Sequence, residues 1–188
     1  MDRFPHAIDT GAYHAGHIQG IALDAERGIL YCSYTQILVK LDLQGNLLGS
    51  VTGLTGHLGC IEFNPDDGKV YGSLEYKNDI IGKSILRTLG VSAQLEDAFY
   101  IAVFDVDKIT GMDIDYKTPG VLTTMYMEEV VKDYKDELDA GEHINGHVTM
   151  GHKHGCSGID GITFGPLPGD ESGKIYMTVA YGVYRHNE

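Results

Sequence analysis

The chain has 188 residues, 43% of them hydrophobic, which suffices for one domain with a substantial core. Its 27 acidic and 14 basic residues give a net charge of −13, which argues against nucleic-acid binding because phosphate recognition needs a basic face. No apolar run approaches the ~18 residues of a membrane span, and no signal-peptide segment follows Met1. We therefore expect no membrane partner. Three well-separated cysteines favour a reducing, cytoplasmic location over a disulfide framework.

Two segments forty residues apart carry the same pattern. Residues 17–31 read HIQGIALDAERGILY and residues 57–71 read HLGCIEFNPDDGKVY. The shared positions predict two strands joined by an acidic turn that ends in glycine. A period of about 40 residues with four short antiparallel strands is typical of one propeller blade. We therefore predict an all-β chain, with blade one at about 14–53 and blade two at about 54–127.

The predicted strands alternate with turns along the chain. In chain order they are 18–23, 29–34, 37–42, 47–51, 58–63, 69–75, 99–105 and 121–127. Blade two carries an insertion at 77–97, where the spacing of Ile81, Ile85 and Leu89 predicts a helix within 78–97.

A second insertion fills residues 128–156. Its first part, about 128–139, has an apolar stripe and predicts an amphipathic helix, and a loop rich in glycine and histidine follows. A partial blade three occupies 157–188, because 160–164 and 173–176 repeat the earlier strand pairs. Tyr181 to Tyr184 is expected to start its third strand. The chain thus supplies about 2.5 blades.

The paired strands at 17–34, 57–75 and 157–181 resemble the NHL and SMP-30 (gluconolactonase)-like β-propellers, which commonly have six blades. The resemblance implies that further blades complete the ring. We favour a longer polypeptide as their source over a homo-oligomer that pools its blades. It also implies a divalent cation held by acidic and amide side chains near the channel mouth. Glu75 and Asp160 are the candidates here, either as ligands of a hard cation or as a general acid/base pair. Exposed loop acids are the alternative.

Histidines supply a second set of candidates. His17 and His57 begin equivalent strands, and with His154 they form a candidate site for Ca, Mn or Zn. Alternatively, His17 and His57 are repeat-encoded residues that fix the strand entry. His143, His147 and His152 add a weaker cluster in the loop at 143–155. That loop is interpreted as a polar loop, a transition-metal site or a pH-responsive lid.

Two main functions remain open from the sequence. One is a propeller that binds a small-molecule ligand or a protein partner on the face that carries both insertions. The other is a divalent-metal-dependent hydrolase or lyase that acts on a small ester, lactone or sugar acid. Cys60 is expected to be a small buried thiol, because glycine fills its equivalent positions Gly20 and Gly161.

Overall fold

The computed structural model describes residues 5–140, 142–144, 147–149 and 155–184, with side chains described at 5–134 and 158–181. Most of its regular structure is antiparallel β-sheet, and two helices interrupt the strands. The prediction of a mostly β chain is therefore confirmed. None of the described sheets closes on itself.

The first sheet has five strands, of which the first four form a meander in chain order. These four are β1 (Gly20–Asp24), β2 (Ile29–Tyr34), β3 (Ile37–Asp42) and β4 (Leu47–Thr52). The turn between β1 and β2 ends at Gly28, whose φ of 67° favours glycine. The bounds of β2 and β3 coincide with the predicted strands.

The second sheet repeats this meander, with an interruption. Its strands are β5 (His57–Asn64), β6 (Lys69–Tyr76), β7 (Ala98–Phe104) and β9 (Leu122–Tyr126). Helix α1 (Ile80–Leu89) lies between β6 and β7, inside the predicted insertion. Asp79 caps its first turn by accepting a hydrogen bond from the Gly82 backbone N–H at 2.8 Å. Gly90 ends it in the left-handed conformation.

A short strand, β8 (Ile114–Asp115), was not predicted. It belongs to the connection between β7 and β9, yet it pairs in parallel with β4 of the first sheet. The Lys40 ammonium strengthens this link by donating to the carbonyls of Val106 and Ile109, at 2.9 Å and 3.3 Å. The connection between β7 and β9 thereby covers the edge of the meander at β4.

Helix α2 (Glu128–Ala140) begins at the first residue of the predicted helix. It is followed by a hairpin of β10 (Glu142–Ile144) and β11 (His147–Thr149). The expectation of a loop throughout 143–155 is therefore wrong for 143–144 and 147–149, which belong to paired antiparallel strands.

The third sheet has two described strands, β12 (Gly155–Gly165) and β13 (Tyr176–Tyr184). The prediction that Tyr181–Tyr184 starts a further strand is wrong, because Tyr184 still pairs with Gly155 of β12. The β12 strand is long enough to keep β13 paired to its end. Two register irregularities near Ile159 bend β12.

The core lies between the sheets. The largest cluster joins the first and second sheets and includes Tyr31, Leu38, Leu58, Leu74 and Phe104. Another joins the second sheet to α2 and β12 and includes Phe99, Ile101, Tyr134, Ile159 and Ile162. The first strands of the three sheets also lie side by side, because β5 contacts β1 on one side and β12 on the other.

The far face of the first sheet is covered by the segment that precedes β1. Tyr13, Ala15 and Ile18 pack there against a cluster that includes Cys32 and Val39, both fully buried. A coil segment thus occupies this face, whereas the second sheet is flanked by sheets on both sides.

Candidate functional site

A cleft of about 260 Å³ opens where the second and third sheets meet. Strands β5, β6 and β12 and the start of α1 form its walls. Its polar side chains are Gln19, His57, Cys60, Ser73, Glu75, Lys77, Asp79 and Asp160. We refer to this set, with the flanking Ile81 and Ile159, as the cleft. Its volume lies just below the ~300 Å³ at which pockets for drug-sized ligands begin.

Glu75 forms the centre of the cleft wall. One carboxylate oxygen accepts a hydrogen bond from the Ile159 backbone N–H of β12 at 2.6 Å. The other forms an ion pair with the Lys77 ammonium at 2.8 Å. Burial raises the pKa of Glu75, and the interactions with Lys77 and Ile159 act in the opposite direction. The carboxylate therefore joins the second sheet to the third.

Backbone geometry makes room for this carboxylate. Gly158 has a φ of 130°, and a Cβ atom built on it would overlap Glu75 Oε1. Only glycine combines that conformation with so close an approach. The bulge in β12 then directs the N–H of Ile159 at the carboxylate. The backbone of β12 is therefore shaped to receive the Glu75 side chain of β6.

Lys77 follows β6 directly, and its ammonium has several favourable contacts. Besides the ion pair with Glu75, it lies over the ring of Phe99 at 5.5 Å and over that of Tyr134 at 5.8 Å. Tyr134 belongs to α2, so the same ammonium links the second sheet to the second insertion. The sequence interpretation missed Lys77. The available signal was its spacing of two from Glu75, which places both side chains on one side of an extended chain.

His57 pairs directly with Glu75 across β5 and β6, so both side chains lie on the same side of the sheet. Its ring is half-buried. Desolvation lowers the pKa of His57, and the nearby positive charge of Lys77 lowers it further. The neutral imidazole, which offers one donor and one acceptor, is therefore favoured at neutral pH.

His17 lies outside the cleft and is exposed. Its Nε2 is 3.4 Å from Nε2 of Gln19, which lines the cleft, and its charge contributes to the lowered pKa of His57. The two histidines are thus neighbours, and only His57 lines the cleft.

Cys60 is half-buried, which differs from the buried thiol that was expected. Its Sγ donates to the Ser73 hydroxyl at 3.6 Å. Burial raises the pKa of Cys60, and the charges of Glu75 and Asp160 raise it further. The thiol form is favoured, so this side chain acts as a polar lining group and is a poor nucleophile.

Asp160 reaches the cleft from β12 and is exposed. In the described part of the chain its carboxylate has no hydrogen-bond or ion-pair partner. The two predicted catalytic residues therefore lie in one cleft but in different environments. The alternative that both are exposed loop acids is wrong for Glu75, which is only 7% exposed.

The structure brings only part of the predicted histidine set together. His154 and His152 lie outside the described residues. His143 and His147 lie on the paired strands β10 and β11, and their side chains are outside the described part. Among the described side chains, no group of three or more His, Cys, Asp or Glu residues is arranged to hold a metal ion. The metal site that includes His17, His57 and His154 therefore stays a prediction.

Comparisons with protein-family models, with curated proteins and with solved structures gave no significant match for this chain. No helix in the described residues combines the length and the apolar character that crossing a membrane requires.

Proposed function

We propose that the three sheets are consecutive blades of an incomplete β-propeller. The repeated meander of the first two sheets supports this assignment, as does the lateral contact of the three first strands β1, β5 and β12. Equivalent aromatic pairs join neighbouring sheets. Tyr31 stacks on Phe63 at 6.1 Å between the first and second sheets, and Tyr71 meets Phe164 at 4.9 Å between the second and third.

Within this propeller, the cleft binds a small polar molecule. The observation that carries the proposal is the concave wall in which His57, Glu75 and Asp160 meet near the start of an inserted helix. The Glu75 carboxylate is fixed by two partners, and its neighbour Lys77 is fixed by three groups. A wall held in this way loses little conformational entropy when a ligand binds.

Binding is better supported than acid/base catalysis. Both oxygens of Glu75 are engaged within the protein, so proton transfer to a ligand would first break the contact with Ile159 or Lys77. The second candidate, a divalent-metal-dependent hydrolase or lyase, draws its support from one feature. A buried and an exposed carboxylate share one cleft, and such a difference in environment separates acid from base in many enzymes.

Nuclear magnetic resonance with ¹⁵N-labelled protein tests the binding proposal. The full chain is titrated with a library of small neutral, cationic and anionic molecules. We expect at least one class to shift the backbone amide signals of Gly59, Ile159 and Asp160 together. A library that leaves all three signals in place, or shifts only distant amides, contradicts the proposal.

Metal addition tests the second candidate. Tag-free protein is heated with and without Ca²⁺, Mn²⁺ or Zn²⁺, and the midpoint of unfolding is compared between the wild type and His57→Ala. A metal-dependent enzyme would show a stabilising shift in the wild type that His57→Ala reduces. An unchanged midpoint with all three metals contradicts it.

A further inference from the structure

The charges that line the cleft differ in how well they are compensated. Lys77 is the one Lys or Arg among the described cleft-lining residues, and Glu75 neutralises it at 2.8 Å. The same ammonium also lies over the aromatic rings of Phe99 and Tyr134. An anionic ligand would have to displace Glu75 from Lys77, and the buried carboxylate would then lose its counter-charge.

Two other carboxylates add negative charge at the rim of the cleft. Asp79 uses one oxygen to cap α1, and the helix N-terminus offsets part of its charge. Asp160 is exposed and has no partner among the described residues. Desolvation lowers the pKa of His57, which favours its neutral form over the charged one. The cleft therefore carries an excess of negative charge and of hydrogen-bond acceptors.

We propose that the ligand of this cleft is a small organic molecule with an ammonium group and additional hydroxyl groups. This inference rests on the proposed binding function and names the ligand class. In it, the ammonium donates charge-assisted hydrogen bonds to Asp160, and the hydroxyl groups contact Gln19, His57 and Ser73. Ile81 provides an apolar surface for the carbon skeleton.

An organic cation fits the described residues better than a bare metal ion does. An ammonium is satisfied by one or two carboxylates together with neutral acceptors. A hard cation such as Ca²⁺ needs six to eight oxygen ligands, and the described side chains offer no group of three ligands suited to a metal.

Three probes of similar length and different charge test the ligand class. Diethanolamine is cationic, diethylene glycol is neutral and diglycolate is anionic. Each is titrated into the ¹⁵N-labelled full chain in an amine-free buffer. We expect diethanolamine to shift the Ile159 and Asp160 amides with a Kd about tenfold or more below that of diethylene glycol. Diglycolate should bind most weakly.

A matched pair of variants locates the charge that matters. Asp160→Asn should weaken diethanolamine binding about tenfold and leave diethylene glycol binding unchanged, because it removes charge and keeps the shape. Asp66→Asn is the control, since Asp66 is exposed in the turn at the opposite end of the β5–β6 hairpin. It should change neither affinity.

The outcomes separate this inference from the function on which it rests. If the neutral or the anionic probe shifts the cleft amides as strongly as diethanolamine, the ammonium class is overturned and the small-ligand cleft stands. If Asp66→Asn weakens binding as much as Asp160→Asn does, the effect is long-range and the contact with Asp160 is overturned. If no probe and no molecule of the wider library shifts those amides, both proposals fail.

Discussion

The two junctions between the sheets use the same positions with different chemistry. At the first junction, between the first and second sheets, the Leu58 N–H donates to the backbone carbonyl of Thr35 at 2.8 Å. At the second, between the second and third sheets, the Ile159 N–H donates to the Glu75 side chain at 2.6 Å. Thr35 and Glu75 are forty residues apart, which is the repeat period. A side chain has therefore replaced a backbone acceptor.

The packing of the two junctions also differs, with a backbone contact at the first and a side-chain contact at the second. At the first, Gly20 lies so close to β5 that a Cβ atom would come within 2.7 Å of the Ile61 nitrogen. At the second, the position equivalent to Gly20 is Cys60 of the second sheet, whose half-buried side chain packs against the cluster that contains Ile159 and Ile162. Among the described atoms, a Cβ on the third equivalent, Gly161, would meet only the Ala180 methyl of its own sheet, at 3.6 Å. The first junction is closed by close backbone contact, whereas the second is bridged by a carboxylate beside a bulge. The comparison shows how one repeat yields a structural contact in one place and a cleft in another.

The largest expected effect comes from truncating, at each junction, the residue that supplies the acceptor. Glu75→Ala removes the carboxylate that pairs with the Lys77 ammonium and accepts from the Ile159 N–H, and we expect a loss of about 3 kcal/mol in the free energy of unfolding. Thr35→Ala keeps the backbone carbonyl and should cost less than about 1 kcal/mol. Urea denaturation of both variants measures the difference.

A double variant checks the cause of that loss. Glu75→Gln combined with Lys77→Met removes both charges, so we expect it to be more stable than Glu75→Ala alone. Equal losses for Thr35→Ala and Glu75→Ala would show that the two junctions do not differ in the way described.

A smaller effect is expected from adding a methyl group at the equivalent glycines. Gly20→Ala forces the backbones of β1 and β5 apart and should cost about 2 kcal/mol. Gly161→Ala has space for its methyl group and restricts the unfolded chain. The free energy of unfolding of this variant should therefore stay the same or rise by about 0.5 kcal/mol. Thermal unfolding of the two variants checks the order. Similar losses at both glycines would show that the close contact of Gly20 with β5 is not the cause of the loss.

The strands could be predicted where local pattern and burial agree. β2 and β3 follow from apolar residues between turn signals, and the helix start at Glu128 follows from its apolar stripe. β8 could not be predicted, because two residues carry no periodicity and Ile114 pairs with Val51, 63 positions away. The extension of β13 through Tyr184 depends on the length of β12, which the segment's own pattern does not reveal.

The site was predictable to a similar extent. The repeat placed His57 and Glu75 at the ends of adjacent strands, and Asp160 at the matching strand of the next unit, so their meeting follows from topology. Lys77 was missed because a lysine after a strand is usually solvated, and its partners Phe99 and Tyr134 come from distant parts of the chain. Burial of an ion pair depends on tertiary packing, which sequence spacing alone does not specify.

The smallest effect concerns the pH dependence of the second junction. The His57 pKa is lowered in the folded state, chiefly by desolvation, whereas the unfolded chain takes up this proton near pH 6.5. Between the two pKa values the unfolded state binds more protons, so the contribution of His57 to stability is complete above pH 6.5 and is lost as the pH falls through the folded value.

His57→Gln removes this contribution. We expect the free energy of unfolding of the wild type, measured by urea denaturation from pH 7.5 to 5, to fall more steeply than that of His57→Gln. His14→Gln serves as the matched control, because His14 is exposed and lies outside the cleft, and it should follow the wild type. Parallel pH profiles for the wild type and His57→Gln would contradict a desolvated imidazole beside Glu75.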